Sequence, residues 1–334
     1  MLTTTLKKDY TDKPHEHVPC PLCNANDDYV LARKGYPGIP VRNVICKGCG
    51  LIRVDPRMTQ KGYEDFYQED FFEYLNPYSR PAYVEEIEHT RDDDYLTPVK
   101  RTRLPLIRDY VKEGGRLLDV GAGFGQIPYL LQKEKNVTFV GLEPDPFSRK
   151  VAKEKIGVEL TDMTVEDFLA SNPGEFDFIY MDQVFEHLLT PLEILKGLAK
   201  ILAPEGVMYI GVPGAYNPQI PMSVFYQLAH TYNYTPHTMA LFAKKAGLKV
   251  VHLPDPEGYP LEVLLAHENS SYPDEDPSRL VAGSDWKDVV RRLKRKERLN
   301  AIRGFAKKIV TTLGGEKLNE KIRSTVDSTT GYQY

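Results

Sequence analysis

From Arg116 to Glu268 seven short apolar runs follow one another: RLLDV, TFVGLE, GVEL, FDFIYM, GVMYIGVP, LKVVHL and LEVLLAHE. Strands covered on both faces read as near-continuous apolar runs, and helical patterns separate the earlier ones here. That rhythm predicts an α/β fold, a Rossmann-like seven-stranded, mostly parallel sheet with helices on both faces. Only PDPEGYP joins the last two runs, which predicts an antiparallel pair at the sheet edge.

The first run leads into LLDVGAGFGQIPYLL, residues 117–131, where Gly121, Gly123 and Gly125 alternate before a second apolar stretch. A glycine-rich turn between a buried strand and a helix lets a nucleotide-like ligand approach the backbone closely. The dinucleotide fingerprint is G-x-G-x-x-G, and Gln126 stands where its third glycine belongs. Asp119 ends the strand beside the loop, where a carboxylate would repel a pyrophosphate. The loop therefore suits an adenosine carrying cationic groups and no phosphate, which describes S-adenosylmethionine. Glu143 ends the second run twenty residues after Gly123, placed for an acid that accepts both ribose hydroxyls.

All four cysteines fall early, as CPLC (Cys20, Cys23) and CKGCG (Cys46, Cys49). Paired C-x-x-C knuckles supply four thiolates for a closed, structural, tetrahedral Zn2+ site. The competing readings are a pair of disulfides or a redox dithiol, and the absence of a secretion-type leader argues for reduced thiols. Gly50 suits the backbone turn after the second knuckle, with Asn24 in the same place after the first.

These signals divide the chain into a zinc ribbon at 15–55, a helical linker or lid at 56–113 and an α/β domain at 114–270. A polar linker with a basic amphipathic helical tail follows at 271–334. In the lid, Tyr74 and Tyr78 are read either as helix-packing residues or as a binding platform. In the tail, Trp286, Val290, Leu293, Ile302, Phe305 and Ile309 recur at roughly helical spacing among Lys and Arg. Such a helix docks on its own domain, on a dimer mate, or peripherally on an anionic membrane. With no apolar run of spanning length, no transmembrane segment is expected, and the default location is cytoplasmic. The net charge of −4 offers no global attraction for nucleic acid.

The stretch EFDFIYMDQVFEHLLTPLEILKGLAKILAPEGVMYIGVP resembles the class I S-adenosylmethionine-dependent methyltransferases along its length. The matching residues are Asp119, Gly121, Gly123, Gly125, Glu143, the Glu186-His187 pair and Pro191. The resemblance continues through HTYNYTPHTMALFAKKAGLKVV, with His230 before Tyr234-Thr235-Pro236. With the four-cysteine ribbon in front, the chain resembles zinc-ribbon methyltransferases that act on sugars and other small metabolites. The similarity spans residues 20 to about 267. It implies S-adenosylmethionine as cofactor, with Asp162, Met163 and Thr164 offering alternative registers near the adenine, of which Met163 and Thr164 are taken, and with Asp182 and Gln183 after the fourth strand.

Methyl transfer is an in-line displacement that asks the protein for positioning, plus a base where the nucleophile must lose a proton. His187, next to Glu186 beyond the fourth strand, is the first candidate base and His230 the second. The acid-His pair also reads as a helix cap or loop-ordering device. The acceptor is expected to be a small molecule or glycan, with oxygen favoured over carbon or nitrogen. The alternatives are a nucleic-acid methyltransferase acting on ribose or ring nitrogen, and a non-catalytic binding module. The overall acidity weighs against the former.

Overall fold

The computed structural model describes residues 9–36, 38–69, 87, 89–92 and 97–313. At the N-terminus β1 (His15–Glu16) pairs antiparallel with β5 (Arg57–Met58). Between them β2 (Asp28–Lys34), β3 (Pro40–Cys46) and β4 (Ile52–Val54) form an antiparallel ribbon. The ribbon sheet takes its fourth strand from far along the chain, because β10 (Tyr232–Asn233) pairs antiparallel with β4. Val54 N donates to Thr231 O at 2.9 Å just before that pairing.

The described residues that follow include the helices α1 (Gln60–Glu69) and α2 (Pro98–Ile107), the latter capped by the Thr97 side chain accepting from Lys100 N. Tyr74 and Tyr78 lie outside the described residues. Next come β6 (Arg116–Val120), α3 (Gln126–Lys135), β7 (Thr138–Leu142) and α4 (Pro146–Val151). They are followed by α5 (Val165–Ala170), β8 (Phe176–Asp182), α6 (Pro191–Ile201) and β9 (Leu202–Val212). After the short α7 (Met222–Phe225) and β10, the chain forms α8 (Pro236–Lys245), β11 (Leu248–His252) and β12 (Leu261–His267).

The main sheet runs β11-β12-β9-β8-β6-β7, parallel from β9 to β7, with β12 antiparallel to both of its neighbours. Side chains alternate between two cores because successive strand residues point to opposite faces. Leu117, Phe178 and Tyr209 pack with α2 and α3, whereas Leu118, Ile179 and Met208 pack with α6 and α8.

One strand of the expected seven is missing, since the sheet has six. GVEL makes no ladder and only an isolated bridge follows it, between Thr161 and Leu142. Its apolar side chains are used for filling: Leu160 packs over Gly141 and Val158 against Gly125. The expected antiparallel pair is present, with β11 as the edge and β12 interior.

The basic tail forms α9 (Trp286–Leu313). Val289, Val290 and Leu293 are buried against Ile45 and Ile52 of the ribbon and Tyr216, Met222 and Phe225 of the α/β domain. Farther along, Leu299 and Ile302 are exposed. No helix among the described residues is long and apolar enough to cross a membrane.

Candidate active site

The carboxyl ends of β6, β7 and β8 meet at the glycine loop. Gly121, Gly123 and Gly125 all have positive φ, which L side chains rarely adopt. At Gly121 the requirement is doubled, because a Cβ there would sit 2.3 Å from Val184 Cγ2. The loop is tied to the next strand by Ala122 N donating to Leu142 O at 2.8 Å.

Glu143 clamps this loop from the end of β7. Its carboxylate accepts from Gly123 N at 2.7 Å and from Asp145 N at 2.8 Å. Burial raises its pKa, and the two amides pull it back. Each carboxylate oxygen has a second lone pair, so ribose hydroxyls can be accepted without releasing the loop. Asp119 is 2 % exposed, and burial followed by repulsion from Glu143 and Asp182 pushes its pKa well up. A cationic ligand bound beside these carboxyls would favour their charged forms.

Gln126 opens α3, and its Nε2 donates to Thr90 Oγ1 at 2.7 Å. The residue that breaks the dinucleotide spacing thus ties the loop to the turn at His89–Arg91.

Asp182, the last residue of β8, belongs to a half-buried ionic network. Arg103 of α2 donates through Nε to Asp182 Oδ2 at 3.0 Å, and its Nη1 lies 3.1 Å from Glu262 Oε1. Tyr180 donates to Asp182 Oδ2 at 3.3 Å and Tyr209 to Glu262 Oε1 at 3.0 Å. The two tyrosine rings stack at 4.8 Å. Gln183 has its side chain exposed, while its backbone N–H donates to Gly211 O at 2.8 Å with φ of 56°. Sequence reading singled out neither Arg103 nor Glu262. Arg103 is 79 residues from Asp182, and no local pattern links positions that far apart.

Thr164 is exposed and serves as the N-cap of α5, accepting from Asp167 N at 3.1 Å and donating to Asp167 Oδ2 at 2.8 Å. Met163 beside it packs partly buried against the main core.

Glu186, His187 and His230 come together beyond β8, with their ligand-type atoms within 4.8 Å of one another. The His187 and His230 rings meet edge to face at 5.0 Å. His187 Nδ1 lies 2.9 Å from Ala229 O, a contact only an N–H can make, so the neutral ring carries its lone pair on Nε2. Tyr67 Oη is 3.2 Å from the same nitrogen. Burial lowers the His187 pKa to about 4, opposed by the bond to Ala229, and burial with the neighbouring His187 lowers that of His230 well below the usual range. Glu186 is 1 % exposed, and burial drives its pKa well up. The cluster is held from behind, since Thr231 Oγ1 lies 2.9 Å from both Glu186 O and Leu188 O and shares its one proton between them, and Arg57 Nη1 donates to Leu189 O at 2.7 Å.

The four cysteines also converge. Cys20 and Cys49 sulfurs are 3.4 Å apart, as are those of Cys23 and Cys46, and all four lie within 4.8 Å of one another. A tetrahedral shell with Zn–S of ~2.3 Å has sulfurs about 3.7 Å apart, so the donor set fits. Asn24 and Gly50, one past each knuckle, both have positive φ.

The family described as "Methyltransferase domain" matches residues 88–253. A ubiquinone biosynthesis O-methyltransferase of Actinobacillus pleuropneumoniae serotype 7 (strain AP76) is 31% identical over 119 residues, 31% of this chain and 51% of that protein. One of the same name from Xanthomonas campestris pv. campestris (strain B100) is 32% identical over 117 residues, 32% of this chain and 48% of that protein. The chain thus spans about half the length of the curated relatives it matches. Among solved structures, a SAM-dependent methyltransferase from Aquifex aeolicus aligns with a TM-score of 0.41 and 20% identity, covering 55% of this chain and 97% of the other. One from Archaeoglobus fulgidus gives 0.40 and 17%, covering 49% and 90%. With that sequence match, and with the glycine loop, Glu143 and Asp119 on the carboxyl edge of a mostly parallel sheet, residues 88–253 belong to the methyltransferase domain family, of the class I S-adenosylmethionine-dependent kind.

Proposed function

We propose that the protein transfers a methyl group from S-adenosylmethionine to a hydroxyl oxygen of a small molecule, a sugar or glycan in the first place. The observation that carries this reading is the Glu143 carboxylate bridging Gly123 N and Asp145 N at the loop's mouth, with Asp119 beneath it. The partial relatives named for O-methylation favour oxygen as the accepting atom. Asp119, Gly121, Gly123, Gly125 and Glu143 would hold the cofactor, with Asp182 and Gln183 at its methionine end and Met163 and Thr164 at the adenine side.

In the proposed reaction His187 Nε2 accepts the acceptor's hydroxyl proton while the oxygen forms its bond to the methyl carbon. The sulfur–carbon bond breaks in line, and the sulfonium leaves as a neutral thioether. His230 and Glu186 flank the same space. The ribbon is proposed to hold one structural Zn2+ on Cys20, Cys23, Cys46 and Cys49.

The test begins with calorimetry. Glu143→Ala should weaken S-adenosylmethionine binding by about 1.5 to 3 kcal/mol, the loss of charge-assisted hydrogen bonds. The wild-type protein should then convert the cofactor to its demethylated product with phenolic or sugar hydroxyl acceptors. Tight cofactor binding with no turnover on any hydroxylated acceptor would overturn methyl transfer to oxygen and leave carbon or nitrogen acceptors and the binding-module reading standing.

A further inference from the structure

We propose that Glu186, His187 and His230 form a divalent-cation site, separate from the cysteine ribbon and able to take a first-row metal ion. Glu186 is 1 % exposed, and neither carboxylate oxygen has a hydrogen-bond partner. His230 is 9 % exposed, and its Nδ1 is likewise buried without one. An unpaired buried carboxylate costs several kcal/mol, on the order of its desolvation penalty, unless it gains a proton or a positive partner. No ammonium or guanidinium is paired with Glu186 among the described residues; its one ion-pair contact is His187 Nε2 at 3.9 Å.

That separation is too long for a hydrogen bond and suits two ligands of one ion. For metal–ligand bonds of about 2.1 Å, atoms sharing the ion lie ~3 to 4.2 Å apart depending on the angle. His187 is turned correctly, because its Nδ1–H is engaged by Ala229 O and its Nε2 lone pair is on the Glu186 side. Backbone support for a neutral imidazole ligand is the usual arrangement around bound metals. Two imidazoles and one carboxylate suit Mn2+, Fe2+, Co2+ or Zn2+ and leave coordination positions open for an acceptor's oxygen atoms. The chemical consequence rests on the proposed methyl transfer: without the ion His187 Nε2 accepts the acceptor's proton as described above, and with its lone pair on the ion that proton goes instead to the Glu186 oxygen that does not ligate.

Mn2+ is the probe, because it competes poorly for a tetrathiolate ribbon already holding zinc. The zinc-loaded full chain should bind one additional equivalent of Mn2+, read as loss of the free-ion electron paramagnetic resonance signal. Glu186→Gln and His230→Gln should each weaken that binding at least tenfold, while S-adenosylmethionine binding by calorimetry shows that both variants are folded. Should one variant fail to fold, the other with His187→Gln decides. No Mn2+, Co2+ or Zn2+ beyond the ribbon's own ion, or unchanged affinity in the folded variants, would overturn the assignment. Methyl transfer is scored separately, so an active enzyme with no second ion refutes the site and leaves the proposed reaction intact.

Discussion

Gln126 Nε2 and Thr90 Oγ1 are joined by a 2.7 Å hydrogen bond that fastens the cofactor loop to the turn in front of α2. Thr90 is 1 % exposed, so its hydroxyl depends on this partner. Gln126→Gly would restore the dinucleotide spacing and leave Thr90 unsatisfied, at a cost of roughly 1 to 3 kcal/mol of stability. Calorimetry should still find no NAD binding, because the buried Asp119 and Glu143 at the loop favour a cation over a pyrophosphate whatever stands at 126. Heat with NAD in this variant would show that glycine spacing, and not charge, selects the ligand.

The loop glycines should differ sharply in tolerance. Gly121→Ala meets Val184 at 2.3 Å as well as an adverse φ, and should cost about 2 to 5 kcal/mol from overpacking and strain together. Gly123→Ala finds nothing within 4 Å and should lose only about 1 to 2 kcal/mol through its φ. Urea melts of the two variants check the order. Equal losses would mean Val184 moves aside freely.

Asp119 should couple cofactor binding to protons. Burial raises its folded pKa above the ordinary carboxylate value, so the protonated form favours the native chain. In the cofactor-free protein its contribution to stability is therefore present at low pH and lost as pH rises through the folded pKa. A cationic ligand reverses the preference, so S-adenosylmethionine binding should release up to one proton and tighten as pH rises. Calorimetry in buffers of different ionisation enthalpy measures the release, and Asp119→Asn should abolish it. Buffer-independent heats in the wild type would show that the carboxyl is already ionised.

Zinc removal should be felt beyond the ribbon. One zinc per chain is expected by metal analysis, and Cys46→Ser with Cys49→Ser should abolish it. Because Val54 and Arg57 bond to Thr231 and Leu189, hydrogen exchange after chelation should rise at residues 186–189 and 229–233 as well as at the knuckles. Protection unchanged at those residues would mean the sheet holds them without metal.

Most of the sheet was legible because strand and helix periods are local properties. The glycine loop, Glu143 and the Glu186-His187 pair sit where sequence spacing puts them, at strand ends. GVEL misled because its valine and leucine answer gaps over Gly125 and Gly141, a need visible only in three dimensions. Arg103, Tyr67 and Thr231 act across 79, 120 and 45 residues, so no window along the chain contains both partners. For α9 the helical repeat was plain, while the ribbon surface that receives Val289 and Leu293 was not. The side chains of Phe305 and Ile309, read as part of the same stripe, lie outside those described.

The pairing of β10 with β4 sets an order of events for a chain emerging from the ribosome. Arg57 and its partner Tyr232 are 175 residues apart, so both cysteine knuckles are made long before the strand that closes their sheet. Until that strand arrives, β4 presents an open edge, a template for pairing with another chain. Early metal capture would hold the knuckles in register during that interval, and slow translation between them and Tyr232 would lengthen the period of exposure. A fragment stopping before residue 230 carries the exposed edge permanently, and should be recovered as aggregate even when zinc is abundant.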